Sequence, residues 1–141
     1  MPRSPAASVE AALQVYLLGA VDFEDMLRCQ RRLVYEVSGD RSRAVLILCE
    51  HPPLISVGRD GSHDHIGYEP HDLAARKWPV RWVNRGGGCL LHLPGQLAVY
   101  PILALDRLGL DLQSYLDRLH GVLLDVFSKL ELPAVVRPGR A

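Results

Sequence analysis

Three consecutive glycines, Gly86-Gly87-Gly88, constrain this chain more than any other feature. They sit in the run Arg85-Gly86-Gly87-Gly88-Cys89-Leu90-Leu91-His92-Leu93-Pro94-Gly95-Gln96. A backbone without side chains lets a ligand come close to its N–H groups. An arginine opens this loop and a histidine closes it. The apolar segment Leu97 to Leu105 follows at once and reads as a buried strand. A polar, glycine-lined loop held between strands is how a fold presents a small-molecule site. Phosphate-loop chemistry is excluded. The chain has no Gly-x-x-x-x-Gly-Lys-Ser/Thr run and no Gly-x-Gly-x-x-Gly between a strand and a helix.

The rest of the chain supplies layers around that loop. Met1 to Glu10 reads as a loose tail. Leu13 to Leu18 reads as a first strand. Asp22 is placed to cap a helix, with Asp25 three residues on as an approximate capping box. Phe23, Met26, Leu27, Leu33, Val34 and Val37 recur at helical spacing and are expected to be buried, with Arg28, Arg31 and Arg32 facing water. Gly39-Asp40 ends that helix. Ala44 to Cys49 is a continuous apolar run of the kind expected in a strand covered on both faces. His51-Pro52-Pro53 breaks it, because proline cannot donate to a ladder. Leu54 to Val57 resumes as a strand that Gly58 ends. Arg59 to Lys77 reads as a long loop with one helical turn near Asp72. Val80 to Val83 is a strand leading into the glycine loop, and the loop and the strand after it are expected to pair like a hairpin. Leu112, Tyr115, Leu116, Leu119, Leu123, Val126, Phe127 and Leu130 form one apolar helical stripe, capped by Asp111 and stopped by Pro133. The order strand, helix, several strands, helix predicts an α+β (α/β layered) fold, a mixed β-sheet packed with helices. One domain over residues 1–141 is expected.

Composition narrows the function classes. Net charge is +0 with Lys+Arg 16 and Asp+Glu 16, so no bulk charge draws the chain to nucleic acid or a membrane surface. No apolar run approaches spanning length, and the first residues lack a signal-length apolar core. Three cysteines, Cys29, Cys49 and Cys89, are an odd number and imply no disulfide framework. A reducing, cytoplasmic setting is expected.

The glycine run resembles the signature of the octanoyltransferases (lipoyl(octanoyl) transferases) of lipoate biosynthesis, within the biotin/lipoate protein ligase superfamily. Arg85, Gly86, Gly87, His92, Pro94, Gly95, Gln96 and Tyr100 fall in register with it. Leu90 stands where the family has a threonine, and Leu91 where it has an aromatic residue. Upstream, Glu50 to Arg59 is similar to the family's Glu-His-x-Pro strand-turn-strand, and His65-Ile66 to its His-Ile pair. The resemblance implies a fold like the biotin/lipoate protein ligase catalytic domain. It also implies transfer of an octanoyl group from octanoyl-acyl carrier protein to a lysine of lipoyl domains, in 2-oxoacid dehydrogenases and the glycine cleavage H protein. No cofactor, metal, nucleic acid or membrane is implied. Arg85, Gly86, Gly87, Gly88, Cys89, Leu90, Leu91 and His92 are then the substrate-binding residues.

Chemically, that assignment asks for N–H donors near a thioester oxygen and an apolar slot for its tail. The family's catalytic lysine and acyl-accepting cysteine both follow the segment similar to Val135 to Gly139, and the resemblance implies that they fall beyond Ala141. No catalytic residue is therefore expected within this chain, which reads as an octanoyltransferase-like domain lacking its C-terminal segment. Cys89 lacks a nearby lysine to hold it as a thiolate. His63, His65 and His71 with Asp64 tempt as zinc ligands, His63 and His65 sharing one strand face. No Cys-x-x-Cys or His-Glu-x-x-His supports that, so surface histidines are expected. Two rival readings remain: a lipoate or biotin protein ligase-like enzyme using ATP, and a catalytically dead acyl-binding fragment.

Overall fold

The computed structural model describes residues 12–137. The expected tail Met1 to Glu10 lies outside them. So does the stretch from Pro138 to Ala141, and with it the expected junction to the family's lysine and cysteine beyond Ala141. The elements, in order, are β1 (Ala12–Ala20), α1 (Phe23–Gly39), β2 (Arg43–Glu50), β3 (Leu54–Val57), a 3-10 turn at His63–His65, α2 (Pro70–Arg76), β4 (Val80–Trp82), β5 (Cys89–His92), β6 (Ala98–Ile102) and α3 (Leu112–Lys129).

The strands form two three-stranded sheets, each of mixed direction, where one sheet was expected. The first has the order β1-β2-β6 and the second β4-β3-β5. In the first, β1 runs parallel to β2 and β6 antiparallel to it, with Ile47 opposite Tyr100. In the second, β4 runs parallel to β3 and β5 antiparallel to it, with Ser56 opposite Leu90. Pro52-Pro53 interrupts the chain between β2 and β3, and the strand resumes in the other sheet. β5 and β6 therefore belong to different sheets and do not pair as a hairpin. The Leu93-Pro94-Gly95-Gln96 turn carries the chain between them. Gln96 N–H donates to the Leu93 carbonyl at 3.1 Å, and Gly95 takes φ +87. Proline followed by a positive-φ glycine is the chemistry of a type II turn.

α1 forms where Asp22 caps it. The Asp22 carboxylate accepts from the N–H groups of Glu24 at 2.9 Å and Asp25 at 3.2 Å. Asp25 does not close a reciprocal box; its carboxylate takes Arg28 instead. Met26, Leu33 and Val37 of α1 pack on Val45, Ile47 and Cys49 of β2 and on Ile102 of β6, which makes the main core. Phe23 is buried and Leu27 half-buried, but Val34 is exposed, because it falls just outside the arc that faces the sheet. β2 alternates buried and half-buried residues rather than being covered on both faces, since α1 packs on one face only. A second core, Ile55, Val57 and Ile66 with Leu73, Val80, Cys89 and Leu91, lies under the second sheet.

α3 has its expected cap, with Ser114 N–H donating to Asp111 at 2.7 Å. Its apolar stripe is not buried: no residue of α3 is, and Leu112, Leu116, Leu123, Val126 and Phe127 are exposed. Among the described residues no sheet face lies against it.

Candidate functional site

The two sheets and the start of α1 enclose a cleft of about 690 Å³. Phe23, Leu27 and Arg31 reach it from α1, Ser56 from β3, Leu90 and His92 from β5, Leu97 from just before β6, and Ala98 to Tyr100 from β6. Trp82 to Arg85 close one side.

The period of two along β5 sorts the predicted residues. Leu90 and His92 share the face of Leu54 and Ser56, while Cys89 and Leu91 share that of Ile55 and Val57. Leu90 and His92 therefore line the cleft, and Arg85 lines it from the loop before β5. Cys89 and Leu91 turn into the second core instead. The Cys89 thiol lies 3.6 Å from the Ser62 carbonyl, the acceptor it points to.

The glycine loop is clamped from the turn that follows β3. Gly58 N–H donates to the Gly88 carbonyl at 3.0 Å, Arg59 N–H to that of Arg85 at 2.9 Å, and Asp60 N–H to that of Gly87 at 3.1 Å. Gly87 N–H in turn donates to the Asp60 carboxylate at 3.0 Å. That donor is taken by the protein. The Gly86 and Gly88 N–H groups bond no protein group among the described residues. Gly58 is required by this clamp: a Cβ there would stand 2.4 Å from the Gly87 carbonyl oxygen.

Arg85 does not project freely into the cleft. Its guanidinium donates to the Gly86 carbonyl, the Ser56 carbonyl and Ser56 Oγ, each at 2.9 Å. Ser56 Oγ lies 2.8 Å from His92 Nε2. Burial, then the nearby His51 ring and the Arg85 guanidinium, holds His92 below the usual histidine range, so the ring is neutral at pH 7.

A second histidine, His51, stands in the turn between β2 and β3 and ties the end of β1 to β6 within the first sheet. Its Nδ1 donates to the Val21 carbonyl at 2.8 Å, and its Nε2 accepts from Tyr100 O–H at 2.7 Å. The tautomer follows from Val21 offering only an acceptor. The His51 and His92 rings meet edge to face at 5.6 Å, and Phe23 packs on both. Burial pushes the Tyr100 phenol up to about 12, so it stays a donor. Glu50 accepts from Gly95 N–H at 2.6 Å and pins the turn that delivers β6. Motif register placed His51, His92 and Tyr100, but no local signal marked Ser56 as the partner of His92 or Phe23 as the ring packed on both histidines.

His63 and His65 fall in the 3-10 turn, not on one strand face. Among the described residues no group of three His, Cys, Asp or Glu side chains stands ready for a metal. Among them, too, no helix is long and apolar enough to cross a membrane.

Residues 22–140 match the lipoyl protein ligase A/B catalytic domain. The chain belongs to that family. Its relatives include an octanoyltransferase of Geotalea uraniireducens, 37% identical over 123 residues, which are 87% of this chain and 54% of the relative. An octanoyltransferase of Chloroflexus aggregans is 38% identical over 116 residues, 82% of this chain and 52% of the relative. One of Geobacter sulfurreducens is 38% identical over 128 residues, 91% of this chain and 52% of the relative. The chain thus spans about half the length of these curated relatives.

Proposed function

We propose that this chain supplies the acyl-holding part of an octanoyltransferase, which moves octanoyl from an acyl carrier protein to a lysine of a lipoyl domain. The observation that carries the reading is the cleft itself. Arg85 and His92 stand at one side of a slot that Leu27, Leu90, Leu97 and Val99 also line, and the glycine loop follows Arg85 directly. An acyl thioester has that division, one polarised oxygen and one apolar tail. Each methylene buried against those leucines contributes about 0.8 kcal/mol. The eight residues Arg85 to His92 divide the work: Leu90 meets the tail, His92 and the free glycine N–H groups face the carbonyl, and Arg85, Cys89 and Leu91 brace the loop. The donors are carrier-bound octanoyl groups and the acceptors are lipoyl domains of 2-oxoacid dehydrogenases and the glycine cleavage H protein, in the cytoplasm.

No thiol among the described residues is set up as a nucleophile. Burial pushes Cys49 up, Cys29 packs half-buried against the main core, and Cys89 faces Ser62. The attacking thiolate and its lysine are therefore not placed among the described residues, and these residues by themselves hold the acyl group without turning it over. Incubation with octanoyl-acyl carrier protein, followed by intact-protein mass spectrometry with and without hydroxylamine, tests this. No covalent octanoyl adduct is expected. A hydroxylamine-sensitive adduct on Cys89 overturns the division of labour. A thermal-shift comparison of octanoate with ATP tests the site: stabilisation by octanoate but not ATP is expected, and the reverse favours a ligase.

A further inference from the structure

We infer that Ser56 is a positioning residue that fixes His92 as its Nδ1–H tautomer, so that the ring offers the cleft one N–H donor. A count of hydrogens around Ser56 Oγ fixes the tautomer. Arg85 has only donors. Its guanidinium therefore gives a hydrogen to Ser56 Oγ, at 2.9 Å. Ser56 is fully buried, and His92 Nε2 at 2.8 Å is the other polar atom its hydroxyl meets. If His92 Nε2 carried a hydrogen, Ser56 Oγ would accept twice and its own O–H would be left buried without an acceptor, at a cost of about 1–3 kcal/mol. The hydroxyl therefore donates and Nε2 accepts. A neutral ring then carries its hydrogen on Nδ1.

Nδ1 has no protein partner among the described residues. Yet no fully buried side-chain nitrogen or oxygen among them lacks a partner. Nδ1 is therefore in contact with the cleft that His92 lines. Arg85 closes the arrangement from behind. A second hydrogen on Nε2 would point at the Ser56 oxygen that the guanidinium already occupies. The ring is held as a one-proton donor, suited to an acyl carbonyl or carboxylate oxygen. Ser56 touches no ligand in this scheme and acts only through the ring. The identity of the oxygen rests on the acyl-site reading above; the tautomer does not.

Long-range proton–nitrogen NMR of the full chain, labelled at histidine, reads the tautomer directly. His92 is assigned by loss of its signals in His92→Gln. The wild-type spectrum is expected to show the Nδ1–H pattern for His92 at pH 7.5 or so. Ser56→Ala keeps the main-chain carbonyl that anchors Arg85 and removes only the hydroxyl. It is expected to lose the single tautomer, and Ser56→Thr to restore it. Octanoate, used as the probe, should shift the His92 Nδ1 signals and bind about ten-fold more weakly to Ser56→Ala. An Nε2–H pattern in the wild type overturns the inference without any variant. So does an unchanged Nδ1–H pattern in Ser56→Ala. An Nδ1–H ring that octanoate leaves unmoved upholds the inference and counts against the acyl-site reading instead.

Discussion

Removing one oxygen, in Tyr100→Phe, tests the buried hydrogen bond that ties β6 to the turn after β2. The Tyr100 hydroxyl donates to His51 Nε2 at 2.7 Å, and His51 is 2% exposed. The variant keeps the ring and its packing but strips Nε2 of its donor. A buried acceptor left unpaired costs about 1–3 kcal/mol. The lower half of that range applies here, because the Cys49 thiol already lies 3.7 Å from Nε2 and is a weak substitute donor. For a chain of this size about 1–2 kcal/mol corresponds to a fall of roughly 4–8 °C in melting temperature. Urea denaturation followed by circular dichroism gives the free energy directly. The sharper measurement is a double-mutant cycle with His51→Phe. If the bond is what Tyr100→Phe removes, the double variant should lose about 1 kcal/mol less than the two single losses together. A Tyr100→Phe loss below about 0.5 kcal/mol, or additivity within that margin, refutes the assignment of this bond.

Three further outcomes follow from the geometry. Gly58→Ala should destabilise by about 1–3 kcal/mol, because its Cβ meets the Gly87 and Gly86 carbonyls at 2.4 and 2.8 Å, whereas Gly86→Ala, whose nearest neighbour is Arg59 at 3.8 Å, should stay within about 0.5 kcal/mol in the same melts. His92 is held below its ordinary value in the folded chain, so the unfolded chain binds the extra proton first as pH falls through about 6.5; wild-type stability should drop there, and His92→Gln should flatten that part of the profile. The uncovered stripe of α3 should drive association: sedimentation of the wild type should depend on concentration, and Leu123→Glu, at a residue 39% exposed, should reduce that dependence while leaving the melt unchanged.

What the sequence made legible was what local chemistry decides. Asp22 marks the start of α1 because its cap acts over two or three residues. Leu54 to Val57 and Leu112 to Lys129 could be drawn from composition and period. β5 could not, since its four residues sit inside the glycine signature and read as loop. Had Cys89 to His92 been taken as a strand, the period of two alone would have sent Cys89 and Leu91 away from Leu90 and His92. The division into two sheets was hidden for a different reason. Pro52 and Pro53 announce a break but not which sheet the next strand joins, and that depends on pairings such as Leu54 with His92, far apart in sequence. Val34 and α3 show the converse: helical period predicts a stripe, while burial needs a surface opposite it.

The site was partly legible because its residues answer to two separate demands. Gly58 and Gly87 are set by backbone shape, one by a close approach and the other by φ +75, and such demands leave glycine as their mark in the sequence. His51, Ser56, His92 and Tyr100 are set by hydrogen-bond partners from three strands and the turn after β2, and a sequence carries no trace of who bonds whom. Each is a polar group placed where an apolar one would pack at less cost, and each is held by at least one matched donor and acceptor. Such matching makes the two halves of the cleft interdependent. His51 ties the end of β1 to β6, Arg85 ties the glycine loop to β3, and the rings of His51 and His92 touch between them. Loosening either tie moves the wall that the other holds, so the apolar slot and its polar end are kept in one geometry by His51, Ser56, Arg85, His92 and Tyr100 together.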